Sequence, residues 1–362
     1  MGTASNSTGG QPSMDEILKI ATLVIYSIIF IVGVLGNSLV IYVTGFRMKR
    51  TVNSVWFLNL ALADFLFLAF LVVSIISASN NNEWQFGRFM CKLNNFVSVV
   101  NMFASIFLLT VISLDRCLSI WVVVWAQNKR TVCKAQVTCV VIWVTAVVCS
   151  IPYATFRDLR EVMGKTYCSY TISFTKDRHY KLMIFRFAMG FLIPFLVIFV
   201  SYVAIGVRAG RLQRTRRKKS CKIIFSIILA FFICWLPFHV MQFLQSSDTQ
   251  VHKIVVKIGG QLSVCLAYLN SCLNPILYVF MCEEFQKKLH RSVCFVLESA
   301  LAEDHLSFMS SRSLSSQLSR ISRKSDAAAP LGEKAVATSL KYTEGTVFST
   351  EDRESEQGQL CA

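Results

Sequence analysis

The stretch CKLNNFVSVVNMFASIFLLTVISLDRCLSIW (Cys91–Trp121) predicts one long helix around which the rest of the chain is arranged. Its middle is almost entirely apolar, and near its end stands the charged pair Asp115-Arg116. At about 1.5 Å per residue, a helix of this length crosses a hydrocarbon core about 30 Å thick. The stretch therefore predicts a cysteine at one membrane face and a charged pair at the other. Asn101 and Ser105 are polar residues in the apolar part of this helix, and their presence there needs an explanation.

The whole chain is too apolar for a water-soluble protein of its size. Of its 362 residues, 54% are hydrophobic and 16% are charged, and the mean hydropathy is +0.52. The apolar residues fall into blocks long enough to span a bilayer. These blocks lie at 17–45, 53–78, 89–121, 134–154, 181–207, 221–245 and 254–281. We predict an all-α membrane protein, a seven-transmembrane helix bundle.

The positive charge is distributed so that it orients these spans. The formal net charge is +16, and Lys and Arg concentrate in the connections 46–52, 122–133 and 208–220. Because such residues hold loops in the cytoplasm, we expect an extracellular N-terminus and a cytoplasmic C-terminus in the cell membrane. The basic residues lie between spans, so we expect no nucleic-acid partner. The 13 cysteines lie mostly in apolar blocks or basic loops, which excludes a secreted disulfide framework.

The regions outside the spans carry modification motifs. Asn6 begins a glycosylation sequon, which is either used or a chance tripeptide, and Cys294 is either palmitoylated or simply buried. The Ser-rich tail is either a kinase target or unmodified. The predicted organisation is an extracellular tail (1–16), the bundle (17–281), a short amphipathic membrane-surface helix (282–298) and a disordered cytoplasmic tail (299–362).

Polar residues inside the spans suggest a buried cluster around a carboxylate. Asp64 stands in the middle of the second block, and such residues are costly in a membrane. Residues at comparable depth in other blocks are Asn37, Asn101, Ser105, Asn270, Ser271 and Asn274. Oxygen and amide groups of this kind suit sodium or protons rather than zinc. The alternative is that each polar residue only joins two helices.

Each span carries at least one short motif, and these motifs together, in the right order, resemble those of the rhodopsin-like (class A) G-protein-coupled receptors. The motifs are Gly36-Asn37, Leu60–Asp64, Cys91, Asp115-Arg116, Trp143, Pro194 with Tyr202, Cys234–Pro237, and Asn274–Tyr278. Further stretches are similar to the peptide chemoattractant branch, above all the chemerin receptors and next the formyl-peptide receptors. They include Thr51–Asn53, Trp56–Leu60, Asn101–Phe103 and Trp125–Asn128.

The resemblance implies roles for these positions. Cys91 pairs with Cys168 in the second outer loop, a bridge that the predicted topology supports. The polar cluster around Asp64 becomes a sodium pocket. The activation switch consists of Ile106, Pro194, Phe231, Trp235, Pro237, Asn274, Pro275, Tyr278 and Tyr202, and the G protein contacts Asp115 and Arg116.

The resemblance also implies a ligand pocket around Arg186. This arginine stands in an apolar block, eight residues before Pro194, and binds the C-terminal carboxylate of a peptide; the alternative is that it reaches the outer headgroups. The other predicted pocket residues are Asn94, Ser98, Phe238, His239 and Gln242. Ser98 stands where amine receptors have an aspartate, which argues against an amine ligand.

We therefore expect a receptor for a chemoattractant peptide or small protein, of the chemerin type, and no enzyme activity. The expected partners are a heterotrimeric G protein of the inhibitory class, arrestin and receptor kinases acting on the tail, and membrane lipids. No cofactor is expected beyond sodium as an allosteric ligand. Alternatives with the same fold are a receptor for an anionic lipid mediator and a scavenging receptor with weak coupling. A secondary transporter would need internal repeats, which the sequence lacks.

Overall fold

Seven long apolar helices form the body of the protein. The computed structural model describes residues 13–171, 175–209, 215–246 and 253–281. Its α-helices are α1 (Met14–Tyr42), α2 (Val52–Ser79), α3 (Gly87–Trp121), α4 (Val123–Asn128), α5 (Val132–Thr155), α6 (Lys176–Phe187), α7 (Ile193–Ala209), α8 (Thr215–Ser246) and α9 (Lys253–Met281). Within this described part, seven helical segments are long and apolar enough to cross a membrane. The predicted seven-transmembrane bundle is confirmed.

Polar capping residues set several helix starts. The side chain of Ser13 accepts the backbone N–H of Glu16 before α1, and that of Thr51 accepts the N–H of Ser54 before α2. Thr175 caps α6 in the same way, so the fifth span begins at Lys176 rather than at 181 as predicted. The helix continues through polar turns that hydropathy alone does not reveal.

The helix α3 is the centre of the bundle, as its length and composition predicted. It packs against α2, α5, α7 and α8. In its most apolar 18-residue window 67% of the residues are buried, more than in any other span described. We call the end of the bundle near Cys91 the disulfide end, and the opposite end the Arg116 end.

A β-hairpin at the disulfide end was not predicted. Strands β1 (Arg157–Val162) and β2 (Lys165–Tyr170) pair antiparallel, and Met163 and Gly164 form the turn, both with positive φ. A disulfide between Cys91 and Cys168 ties β2 to the start of α3. The hairpin is thereby held against the helix bundle.

The fifth span is not a uniform α-helix. The segment Ala188–Leu192 between α6 and α7 is π-helical, which lets the turn around Gly190 widen before Pro194. A Cβ placed on Gly190 would lie 2.8 Å from Cε of Met102, so α3 approaches this turn closely. The widened turn follows directly on α6, which carries Arg186, and precedes Pro194 in α7.

Candidate ligand-binding and signalling sites

A cavity of about 570 Å³ lies at the disulfide end, between the hairpin and the helices α2, α3, α6, α8 and α9. Five predicted ligand-binding residues line it: Asn94, Ser98, Arg186, Phe238 and Gln242. Arg157 and His179 also reach its wall, and no described lining residue is acidic. The cavity therefore has the electrostatic character of an anion site.

Arg186 is a buried cation whose described neighbours are mostly aromatic. Only 9% of the residue is exposed. Its guanidinium carbon lies 4.3 Å from the ring centroid of Tyr153 and 5.7 Å from that of Phe238. Nε has no hydrogen-bond partner among the described residues. A buried guanidinium without a carboxylate is costly, so the site is suited to an incoming anion.

Arg157 supplies a second cation that was not predicted as a site residue. Its guanidinium lies 4.2 Å from the ring centroid of Tyr170, and Nη1 donates to the carbonyl of Cys168 at 3.5 Å. Burial lowers the pKa of Arg157; Tyr170 acts in the opposite direction, and the nearby charge of Arg186 lowers the pKa further. The adjacent Asp158 does not neutralise Arg157, because its carboxylate pairs with Arg88 at 2.7 Å.

His239 lies beside this cavity and does not line it. The residue is 2% exposed and faces a small adjoining cavity, which Arg186 and Gln242 also line. Its ring contacts Phe187, Phe191 and Phe238 at centroid distances of 5.6, 5.2 and 5.7 Å. His239 was predicted to line the same pocket as Phe238 and Gln242; it lies one step around α8 from Phe238, because consecutive helical residues point about 100° apart.

The predicted polar cluster is assembled around Asp64 in the middle of the bundle. Ser271 Oγ donates to Oδ1 of Asp64 and Asn274 Nδ2 donates to Oδ2, each at 2.7 Å. Asn37 Nδ2 donates to the carbonyl of Ser271 at 2.9 Å. All four residues are at most 2% exposed. No cation from the described chain pairs with the Asp64 carboxylate.

The remaining cluster residues leave polar atoms without partners. Ser105 Oγ donates to Oδ1 of Asn101 at 3.4 Å, while Nδ2 of Asn101 has no partner in the described part of the chain. The same holds for Oδ1 of Asn270. A carboxylate, hydroxyls and an unpartnered amide oxygen match the hard oxygen ligands that a sodium ion prefers. The residue types therefore fit the predicted ion, although the hydrogen bonds described around Asp64 join it only to Ser271, Asn274 and, through Ser271, Asn37.

The predicted switch residues connect the cavity to the core. Trp235 lines the cavity, and its ring centroid lies 5.9 Å from that of Phe231. Phe231 and Ile106 belong to one buried cluster, and Pro194 is also buried. Tyr202 contacts Phe225 at 5.4 Å. Pro237 lies inside α8 and Pro275 inside α9. Tyr278 is also in α9, but the structure does not describe its side chain.

At the Arg116 end, Asp115 pairs with an arginine that was not predicted. Nε and Nη2 of Arg130 donate to the two carboxylate oxygens of Asp115, each at 2.8 Å. Arg130 and Arg116 both donate to Oδ1 of Asn53. Asp115 is 8% exposed, so in this arrangement it holds Arg130 in place. Arg116 joins this network through Asn53.

Three other predictions lie outside the described residues: the sequon at Asn6, the surface helix 282–298 with Cys294, and the tail 299–362.

Comparison with known proteins agrees with this geometry. The sequence profile of the 7 transmembrane receptor (rhodopsin family) matches residues 36–278. Chemerin-like receptor 1 of Sus scrofa is 42% identical over 332 residues, which cover 86% of this chain and 91% of that protein. N-formyl peptide receptor 3 of Pan troglodytes is 36% identical, over 81% of this chain and 89% of that protein. The chain belongs to the rhodopsin family of seven-transmembrane receptors, which are not enzymes.

Proposed function

We propose that this chain is a receptor for a chemoattractant peptide or small protein of the chemerin type. The observation that carries the proposal is the pair Arg157 and Arg186 in one cavity, with no described acidic lining residue. A peptide's C-terminal carboxylate is a planar anion that one guanidinium binds with two hydrogen bonds. Related receptors named for chemerin, C3a and formyl peptides support this ligand class.

The rest of the lining suits a peptide better than a lipid mediator. The amide side chains of Asn94, Asn95, Gln242 and Gln245 line the cavity. Such groups both donate and accept hydrogen bonds, as a peptide backbone requires. Trp84, Tyr167 and Phe238 offer aromatic surface to apolar peptide side chains. Asn94 and Asn95 already donate to Ser74 and to the carbonyl of Tyr153, but an anionic lipid would use the arginines and leave Gln242 and Gln245 without backbone partners.

We place the disulfide end outside the cell and the Arg116 end in the cytoplasm. The basic connections 46–52, 122–133 and 208–220 join spans at the Arg116 end. The disulfide of Cys91 and Cys168 favours an oxidising compartment for the other end. The N-terminus is then extracellular and the tail cytoplasmic, within reach of receptor kinases and arrestin.

In this orientation the bundle passes a signal from the cavity to a G protein. A ligand that contacts Trp235 also affects Phe231 and Ile106, because Trp235 contacts Phe231 and all three belong to one buried cluster. An outward movement of α8 about Pro237 then opens the Arg116 end to a heterotrimeric G protein of the inhibitory class. Sodium bound at Asp64 stabilises the resting arrangement, because the ion supplies the positive charge that the carboxylate lacks.

The first test is a panel of chemoattractant peptides on cells that express this chain. We expect a chemerin peptide with a free C-terminal carboxylate to stimulate nucleotide exchange that pertussis toxin abolishes. A response to anionic lipids alone would favour the lipid-mediator alternative. Peptide binding and uptake without nucleotide exchange would favour a scavenging receptor. Ion-coupled uptake without exchange would indicate a transporter.

A further inference from the structure

A second cavity, of about 270 Å³, lies at the Arg116 end between α2, α3 and the start of α5. Trp56, Leu114 and Leu118 contribute apolar wall, and Lys129 and Lys134 stand at its edge. We call it the Lys129 cavity. It is separate from the ligand cavity, which lies at the disulfide end of the bundle, and the proposed signalling mechanism does not use it.

The charge at this cavity is uncompensated. Asp115 is the acidic residue among the described lining, and Arg130 occupies both of its carboxylate oxygens. Lys129 and Lys134 are exposed, and no described carboxylate pairs with either. The helix α5 begins at Val132, so its first backbone N–H groups add positive potential beside the lysines. An anion is favoured at this edge.

The wall of the same cavity is apolar and faces the lipid side of the bundle. Leu114 is 40% exposed and Leu118 43%, on a helix that crosses the membrane. Trp56 is 3% exposed, yet its indole N–H has no hydrogen-bond partner among the described residues. A buried indole N–H normally has a partner. A soluble anion would meet the lysines but leave the apolar wall uncovered.

We propose that the Lys129 cavity binds a phospholipid with an anionic headgroup. The phosphate and headgroup carboxylate lie against Lys129 and Lys134 at the start of α5, and an acyl chain lies along Leu114 and Leu118. In the orientation proposed above, this lipid belongs to the inner leaflet, where anionic lipids produce a negative surface potential. Membrane composition thereby acts on the receptor next to Arg130, which holds Asp115.

Native mass spectrometry of the full chain in detergent, titrated with phosphatidylserine or phosphatidylcholine, tests this proposal. We expect saturable, preferential binding of phosphatidylserine. Replacing two lysines near a surface should weaken this binding on the order of 30-fold in the double variant Lys129→Gln/Lys134→Gln. The matched control Lys92→Gln/Lys165→Gln removes the same charge at the disulfide end and should bind as the unmodified chain does. The assay uses neither peptide nor G protein, so its outcome is independent of the proposed function.

Thr138→Trp tests the apolar half, because it fills the cavity without changing the charge. We expect it to reduce phosphatidylserine binding as well. Equal lipid binding by the double lysine variant and the unmodified chain would overturn the proposal. So would competition by soluble glycerophosphoserine as strong as that of the lipid, since the acyl chain would then contribute nothing.

Discussion

Arg186→Ala should weaken the binding of a peptide with a free C-terminal carboxylate by about 100-fold. Arg186 is 9% exposed, and its Nε has no hydrogen-bond partner among the described residues. A hydrogen bond to a charged group contributes about 1.5–3 kcal/mol, and removing one member of a buried charge pair costs about 2–5 kcal/mol. Taking about 3 kcal/mol, at about 1.4 kcal/mol per tenfold change, gives roughly two orders of magnitude in Kd.

Changing both the receptor and the peptide in one double-mutant cycle isolates the contribution of the peptide's C-terminal carboxylate to binding. The assay is competition binding of a peptide with the C-terminal sequence of chemerin, as free acid or as amide, on cells with matched surface expression. Amidation should cost about 100-fold on the unmodified receptor and at most about tenfold on Arg186→Ala, where Arg157 remains. Arg186→Lys should recover part of the loss, because it keeps the charge but not the planar fork.

Arg160→Ala is the matched control for this cycle. Arg160 lies in β1, as Arg157 does, but is exposed and does not line the cavity. It should leave the affinity within about twofold. The reasoning is refuted if amidation costs the same on the unmodified receptor and on Arg186→Ala, or if Arg160→Ala loses as much affinity as Arg186→Ala.

Three further predictions concern the core and the Arg116 end. In the unmodified receptor, sodium should lower agonist affinity relative to choline. In Asp64→Asn, agonist affinity should be the same in sodium and in choline; a sodium effect that persists would exclude Asp64 as the sodium site. Arg130→Gln should lower the melting temperature, because it leaves the buried Asp115 unpaired at a cost of about 2 kcal/mol. The double variant with Asp115→Asn should recover most of this loss; equal melting temperatures for the Arg130→Gln single and double variants would show that the pair is not coupled. Gly33→Ala should lower the free energy of unfolding by about 1–3 kcal/mol, because its Cβ would lie 2.5 Å from Cδ1 of Leu68. The measurement is the melting temperature; an unchanged value would show that the contact between α1 and α2 relaxes without loss of stability.

The membrane spans were predictable because few backbone structures are stable inside a membrane. An apolar block of 20 or more residues must become a helix, since only a helix satisfies its own backbone hydrogen bonds in hydrocarbon. For the same reason the buried cluster could be assembled from sequence: Asp64, Ser271 and Asn274 stand at matching depths, and the structure joins them by 2.7 Å hydrogen bonds.

The hairpin and its consequences were not predictable from local pattern. The strands β1 and β2 are six residues each; β1 carries mixed charges, β2 is largely uncharged, and the link to α3 depends on Cys168. A signal was present in Met163-Gly164, since glycine favours the positive φ that a two-residue hairpin turn requires. Without the hairpin, nothing in the sequence shows that Arg157 is turned inward onto Tyr170.

The sequence also does not reveal which residues form hydrogen bonds with one another inside a charged cluster. Asp115 and Arg116 are adjacent, which suggests one functional pair. Adjacent helical residues diverge by about 100°, so Asp115 instead meets Arg130, which stands just before α5. His239 diverges from Phe238 for the same reason and lies in a neighbouring cavity. Spacing predicts which residues share a span, whereas their partners depend on how the helices are rotated.

The most direct test of the central claim is guanine-nucleotide exchange on a purified inhibitory G protein by the purified, reconstituted receptor. We predict that a chemerin peptide with a free C-terminal carboxylate stimulates exchange and that its amide does so only at about 100-fold higher concentration. Arg186→Ala should reduce this difference to at most about tenfold. Equal potency of acid and amide on the unmodified receptor, or no exchange at saturating peptide, would contradict the account.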